Sequence, residues 1–529
     1  MMPGMYELRI LLAALLVQLA GASYGACERS TVALERYSSG WGIDERNTRY
    51  QPRSSLTSES VGDLRLHWVY AMANDTPRSY PLVTADTIYL GDGGRGLVAL
   101  ERRTGCERWI FEHPGEFSTA ILPAQIDGQD ALVFNDRTQG IYAVNRATGG
   151  LIWHASVDED PLAWYSGSPI IAGERVYVPI SSYEVALALN PLYGCCTTSG
   201  GLAAFDLRNG KKLWYLPTIA EPAEKTYTHW GFVQHYGPSG ATVWGAPSYD
   251  AASATLFFGT GQNYSHPTTH TSDAIFAVDA ETGAIKWIRQ FTEGDAYTAA
   301  CNDLAWRHPN CPKPTGPDVD FGAATVLVRT REGTSLLIAS QKSGDIYALQ
   351  PESGETVWHR KLGRGGIIGG VHWGISADES AGLLYIPISD KEIVGFPAPG
   401  QPAHGLYALD IQTGEQRWHY AAESRCSDYE CVFGLSAAPI ATNDLVLVGS
   451  IDGFLRALDA EDGRLRWEFD AWQDFEAVNQ MNARGGAFDA HGPMVAEDTL
   501  VISSGYNYVG QQRGGNALLV FQLTQNSDG

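Results

Sequence analysis

The chain has 529 residues, with 60 acidic against 37 basic side chains and a formal net charge of −23. That balance argues against nucleic acid, whose binding relies on Lys and Arg neutralising phosphates, and against adhesion to anionic membranes. Glycine at 58 and tryptophan at 15 suit a turn-rich all-β protein, and no Pro/Ser-rich linker, long charge run or low-complexity segment divides the chain.

Residues 1–26 read as a secretory signal. Arg9 precedes an apolar run from Ile10 to Ala20, and the small residues Gly21, Ala22 and Ser23 follow. The run is too short to span a bilayer. The expectation is cleavage after Ala22 or Ala26, an uncleaved anchor being the alternative, and a mature domain of residues 27–529 in the periplasm or outside the cell. Cys27 raises a lipidated terminus, but Tyr24-Gly25-Ala26 matches the required run poorly. No later stretch is apolar and long enough to cross a membrane.

One phrase then recurs: an apolar strand, a polar turn, Gly, and Trp. It ends at Trp109, Trp153, Trp214, Trp287, Trp358, Trp418 and Trp467, as in LYALDIQTGEQRW for Trp418. Each copy reads as a β-hairpin, with alternating side chains along the first arm and Gly at the turn position that needs positive φ. One hairpin cannot bury its own face, so neighbours must cover it. The spacings between these tryptophans are 44, 61, 73, 71, 60 and 49 residues. The short ones suit a bare four-stranded blade, and the long ones carry inserted loops. LRLHWVYA around Trp68 is a second arm without a first, and NALLVFQL from Asn516 to Leu523 is a first arm without a second. Joined, they predict an all-β, eight-bladed β-propeller of W-type antiparallel blades, its ring closed by N- and C-terminal strands. Seven blades with stray terminal strands is the alternative.

An exported chain meets an oxidising compartment. Cys301 and Cys311 flank one loop and Cys426 and Cys431 another, which leaves Cys27 and Cys106 to tie the N-terminal arm to the first full repeat. Cys195 and Cys196 are adjacent, and either close on each other or take separate partners. No Cys-x-x-Cys-His occurs for attached haem, and no zinc-type spacing occurs.

WGIDERNTRYQP (Trp41 to Pro52), YGCCTTSGGLAAFD, SGATVWGAPSYD, FFGTGQNYS, GDAYTAAC, QKSGDIYALQP and DFEAVNQMNARGG resemble, in order, segments of the quinoprotein alcohol dehydrogenases, most nearly the polyvinyl alcohol dehydrogenase branch. These are eight-bladed propellers that bind pyrroloquinoline quinone (PQQ) and usually calcium. The resemblance implies Glu184 and either Gln262 or Asn263 as Ca²⁺ ligands, both hard-oxygen donors. It implies Trp244 against the flat quinone, Lys342 beside the quinone oxygens, and Arg484 as a weaker candidate for the same anion. It implies Cys195-Cys196 near PQQ, although here the pair follows Glu184. Asp295 in GDAYTAAC is the implied catalytic base. The better-known enzymes carry a second aspartate three residues on, where this chain has Thr298, and Asp303 is the fallback.

The function this implies is a periplasmic PQQ-dependent dehydrogenase of secondary alcohols, passing electrons to an external cytochrome c. The alternative is a non-catalytic propeller that keeps the fold as a scaffold or ligand-binding protein, since fold alone does not decide function.

Overall fold

The structure is a computed structural model that describes residues 27–524, except 29, 31, 33–36, 158–159, 302–307, 393–397, 426–431 and 508–511. The signal segment, Asp303 and the Cys426/Cys431 pair lie outside the described residues.

The repeats fold as hairpins, and the hairpins build eight antiparallel sheets arranged as blades of a propeller. Seven blades follow the chain at residues 82–112, 122–155, 170–217, 248–290, 326–361, 376–420 and 440–470. The third has an additional short strand, Ala163–Trp164. The eighth is composite. Leu64–Ala71 pairs with Ala517–Leu523, from Leu64↔Leu523 to Ala71↔Ala517. Ala517–Leu523 pairs in turn with Thr499–Ser504, and that strand with Met494–Ala496. The two half-repeats share one sheet, and both ends of the ring are covered.

The middle strands do not alternate in burial. Thr87–Asp92 and Leu445–Gly449 are buried throughout, because each blade is sandwiched between two others and both faces are core. Alternation survives in the outer strands, as in Gln416–Tyr420, where Trp418 is the buried position.

The recurrent Trp and Gly meet across blades. The indole N–H of Trp358 donates to the Ile411 carbonyl at 2.9 Å. In the same contact a Cβ added to Gly414, whose φ is +66°, would lie 2.6 Å from the Trp358 ring. Trp68, Trp109, Trp153, Trp214, Trp287 and Trp418 repeat this contact on Gly105, Gly149, Gly210, Gly283, Gly354 and Gly463. Glycine is required twice over there, for positive φ and for the close approach. Trp467 faces the composite blade, which brings no such turn, and meets Phe521 edge-on at 5.5 Å instead.

The N-terminal segment closes one end of the ring. Backbone amides of Tyr249, Leu327, Ala377, Ala441 and Ser55 bond carbonyls of Glu45, Arg46, Thr48, Arg49 and Glu497. Residues 45–55 therefore run past the inner strands of blades four to eight in turn. Asn47 donates to the carbonyls of Ala246, Pro247 and Thr325. Buried Arg49 donates to those of Trp41, Pro439 and Pro493, between the rings of Trp41 and Tyr80.

Cys27–Cys106, Cys195–Cys196 and Cys301–Cys311 are disulfides. Among the described residues no helix is long and apolar enough to cross a membrane.

Candidate active site

The inserted loops of the long repeats gather at one place. Asn310 donates to the carbonyls of Ala188 and Asn190, Tyr227 to that of Pro309, and the Tyr236 amide to that of Cys195. Beside them opens a cavity of about 370 Å³.

One wall is aromatic. Trp244 stands edge-on to His372 at 5.8 Å and to Trp373 at 5.7 Å. It lies so close to Gly322 that a Cβ there would fall 1.8 Å from its ring. Trp373 is fixed from behind by donating to Asp489 Oδ1 at 2.6 Å. Burial pushes the His372 imidazole down to about 3, so it is neutral.

The next wall is charged. Lys342 Nζ, 5.9 Å from the centre of the Trp244 ring, donates to Asp318 Oδ1 at 2.8 Å and Asp320 Oδ2 at 3.0 Å. The Gln262 amide donates to Asp320 Oδ1 at 2.9 Å. Burial pushes the Asp318 carboxyl up to about 7, against the opposing pull of Lys342, with the charges of Asp320 and Asp295 adding to the rise. Asp295 stands behind this wall. Its two oxygens accept the backbone amides of Asp318 at 3.1 Å and Val319 at 3.0 Å, and burial pushes its carboxyl up to about 6.

Two further cations line the cavity. Arg78 lies over the Trp373 ring at 4.8 Å, and Arg137 over Trp164 at 3.8 Å. Val185, Ala186, Leu189 and Ile367 supply apolar lining. An aromatic face with Arg78 and Arg137 beside it suits a flat, anionic ligand, and PQQ, a planar quinone with three carboxylates, is such a ligand.

Of the residues singled out in the sequence, Trp244, Lys342 and Gln262 line this cavity. Asp295 is one layer behind it. Asn263 does not line it: its side chain donates to the Ser239 carbonyl at 3.0 Å and accepts the Thr269 amide at 2.9 Å. Glu184 is fully buried, and its carboxylate is engaged by Tyr193 Oη, both Thr197 and Thr198 amides, and the Thr198 hydroxyl. The Cys195–Cys196 disulfide packs with Tyr264 and Ala300, and Cys195 lines a neighbouring cavity. Arg484 is on an exposed hairpin, 3.5 Å from Asp474. Thr298 donates to the Asn310 carbonyl at 2.9 Å. Among the described residues no three Asp, Glu, His or Cys side chains converge as a metal cage. With Glu184 and Asn263 spent on the chain's own groups, the implied calcium ligands do not fit a common ion in this arrangement.

Asp318, Asp320, Arg78 and Arg137 also line the cavity and were not anticipated. The signal available was Asp318-x-Asp320 in PDVDFGAA, an acidic pair leading into the apolar inner strand Val326–Arg329. The arginines are single basic residues outside the regular strands, with no local motif.

Known proteins share this architecture. A family profile described as outer membrane protein assembly factor BamB matches residues 65–236 and 342–505. The polyvinylalcohol dehydrogenase of Sphingopyxis sp. (strain 113P3) is 32% identical over 489 residues, covering 90% of this chain and 74% of that one. The polyvinylalcohol dehydrogenase of Pseudomonas sp is 33% identical over 501 residues, covering 92% and 76%. The crystal structure of the quinohemoprotein alcohol dehydrogenase from Comamonas testosteroni matches with a TM-score of 0.68 at 18% identity, covering 92% of this chain and 80% of that one, a likeness of fold. Identity sustained through nearly the whole chain, on this fold and around this cavity, means that the chain belongs to the PQQ-dependent quinoprotein alcohol dehydrogenase family, together with the polyvinylalcohol dehydrogenases.

Proposed function

We propose that this chain is an exported, periplasmic PQQ-dependent dehydrogenase of secondary alcohols of the polyvinyl alcohol kind, which passes its electrons to a separate cytochrome c. The observation that carries the proposal is the buried Asp318–Lys342 pair beside Trp244 in a cavity that Arg78 and Arg137 also line.

When bound, PQQ supplies the acceptor for the carbinol hydrogen and its electron pair. The chain's residues do the rest. Trp244 offers a flat face, and Arg78 and Arg137 offset the charge of the ligand's carboxylates. Asp318 accepts the proton of the substrate hydroxyl, which leaves a ketone once the carbinol hydrogen has gone. With its carboxyl pushed up to about 7, Asp318 is poised to take and release that proton near neutrality. Lys342 keeps Asp318 oriented, and Asp295 fixes the backbone that carries it. The base is thus assigned to Asp318 in place of Asp295 or Asp303. Calcium is the companion ion the resemblance implies, with Gln262 the one implied ligand that lines the cavity, and no step here runs through it.

Absorbance titration with PQQ, with and without Ca²⁺, followed by dye-linked oxidation of 2-butanol and polyvinyl alcohol, tests the proposal. Cofactor uptake and turnover are expected. Failure to bind PQQ under either condition would leave the non-catalytic scaffold as the reading.

A further inference from the structure

The inserted loops do more than surround the first cavity. The segment 224–237 forms a hairpin of strands Glu224–His229 and Val233–Gly237. Its three-residue loop, 230–232, has φ of +50° at Trp230 and +79° at Gly231, both in the left-handed region. Tyr227, Trp230 and Phe232 on this hairpin are 49%, 53% and 70% exposed. Leu189 and Leu192, on the neighbouring insertion, are 55% and 63% exposed. Elsewhere the large exposed apolar residues are dispersed along outer strands, such as Leu213, Ile285, Val357 and Leu465 in four different blades. Clustering of this kind marks a contact surface.

A second cavity of about 430 Å³ opens beside this hairpin, with Tyr227 in its wall, a size typical of small-molecule sites. Tyr227, Tyr236 and four imidazoles, His229, His235, His266 and His308, line it. Tyr227 stacks on His235 at 4.3 Å. Tyr264 lines both this cavity and the first one. Leu189 lines the first, and its carbonyl is 3.2 Å from the His308 ring nitrogen in the wall of the second. The two cavities are therefore neighbours along one rim. None of the described residues lining the second is Asp or Glu, and Lys313 is its one fixed charge among them. In a chain of net charge −23, such a lining favours an uncharged occupant over a basic protein, which would select carboxylates.

We infer that this rim and second cavity hold a further stretch of the same polymeric alcohol whose reacting carbinol lies in the first cavity. The inference rests on the dehydrogenase reading above. The occupant is an uncharged chain of alternating methylene and carbinol units. Its methylenes lie on Trp230, Phe232 and Leu192, and its hydroxyls exchange hydrogen bonds with the imidazoles and the tyrosine hydroxyls.

The test is the double variant Trp230→Ala/Phe232→Ala. Equilibrium dialysis of labelled polyvinyl alcohol against the cofactor-free protein should show at least tenfold weaker binding than wild type. In the PQQ-loaded enzyme the ratio of kcat/KM for the polymer to that for 2-butanol should fall at least tenfold, through KM. Unchanged polymer binding and an unchanged ratio overturn the inference. So does a variant that keeps the ratio yet reduces cytochrome c more slowly than an artificial dye, since the face then serves the electron carrier. Failure of the dehydrogenase reading shows separately, as a wild-type protein that oxidises neither alcohol with PQQ present, while dialysis still reports on the rim.

Discussion

The ammonium of Lys342 lies 2.8 Å from a carboxylate oxygen of Asp318, with both side chains buried at the cavity wall. Each needs the other: an unpaired buried charge of either sign carries a desolvation cost of several kcal/mol. The pair also places a carboxylate of raised pKa where a substrate hydroxyl can reach it. Asp318→Asn is expected to keep PQQ absorbance and lower kcat by about 10²–10⁴-fold. Asp295→Asn, which leaves Asp318 in place and acts through its backbone hydrogen bonds and its charge, is expected to lower kcat less. The base works when deprotonated, so kcat/KM should rise with pH and level off above about 7. Single-turnover kinetics of both variants against pH check this, and equal losses would return the base to Asp295.

Gly322 is the residue that lets Trp244 lie where it does. Gly322→Ala would place a Cβ 1.8 Å from the indole in the present arrangement, well inside any real contact. The ring must shift, while the blade registers have no reason to change. The expected outcome is at least tenfold weaker PQQ binding by absorbance titration, with far-UV circular dichroism unchanged.

The resemblance puts Glu184 on a metal, whereas the structure puts it on the Thr197 and Thr198 amides. These are hydrogen bonds to a buried charge, worth roughly 1.5–3 kcal/mol each before compensation. Glu184→Gln keeps the shape but turns an amide donor toward backbone donors. A loss of about 2 kcal/mol in denaturant unfolding is expected without added Ca²⁺. A variant with wild-type stability and weakened Ca²⁺ affinity would restore Glu184 to a metal role.

The ring was legible in the sequence because its determinants are local. Strand, turn, Gly and Trp recur within a dozen residues, and the complementary half-repeats named the composite blade. The site was less legible because its contacts are long-range. Asp295 meets Asp318 across 23 residues of inserted loop, so a match to GDAYTAAC alone singled out Asp295 without showing the cavity-lining carboxylate whose backbone it holds. Glu184 finds its acceptor role 13 and 14 residues on. WGIDERNTRYQP stood out as a segment, but its partners run from Tyr249 to Val495, and no pattern within it announces a plug.

Ring closure depends on a junction unlike the other seven. Where they press Trp onto Gly, the last one presses Trp467 against Phe521, a fully buried side chain in the C-terminal strand. Phe521→Ala is expected to cost about 3–5 kcal/mol. Because the strand it sits on joins the two chain ends, the variant should also expose that sheet first in hydrogen exchange of the Leu64–Ala71 amides. Exchange that stays uniform over all blades would show that closure is no weaker than any other junction.

Asp273 is buried, and neither of its carboxylate oxygens has a hydrogen-bond partner among the described residues. Burial, then the charges of Asp295, Asp320 and Asp318, push its pKa well above the ordinary carboxylate value. A carboxyl whose pKa rises on folding binds its proton more tightly in the folded state. Its contribution to stability is therefore complete below the unfolded pKa of about 4 and is lost as pH rises toward the folded value. Asp273→Asn keeps the shape and removes the ionisation. The variant should be more stable than wild type at pH 8, and its advantage should shrink as pH falls to 4. Asp295 and Asp318 also titrate upward and both proteins retain them, so the difference between the two unfolding curves reports the ionisation of Asp273 together with its coupling to those carboxyls. A difference that stays constant over that range would mean that Asp273 carries no ionisation cost in the folded ring.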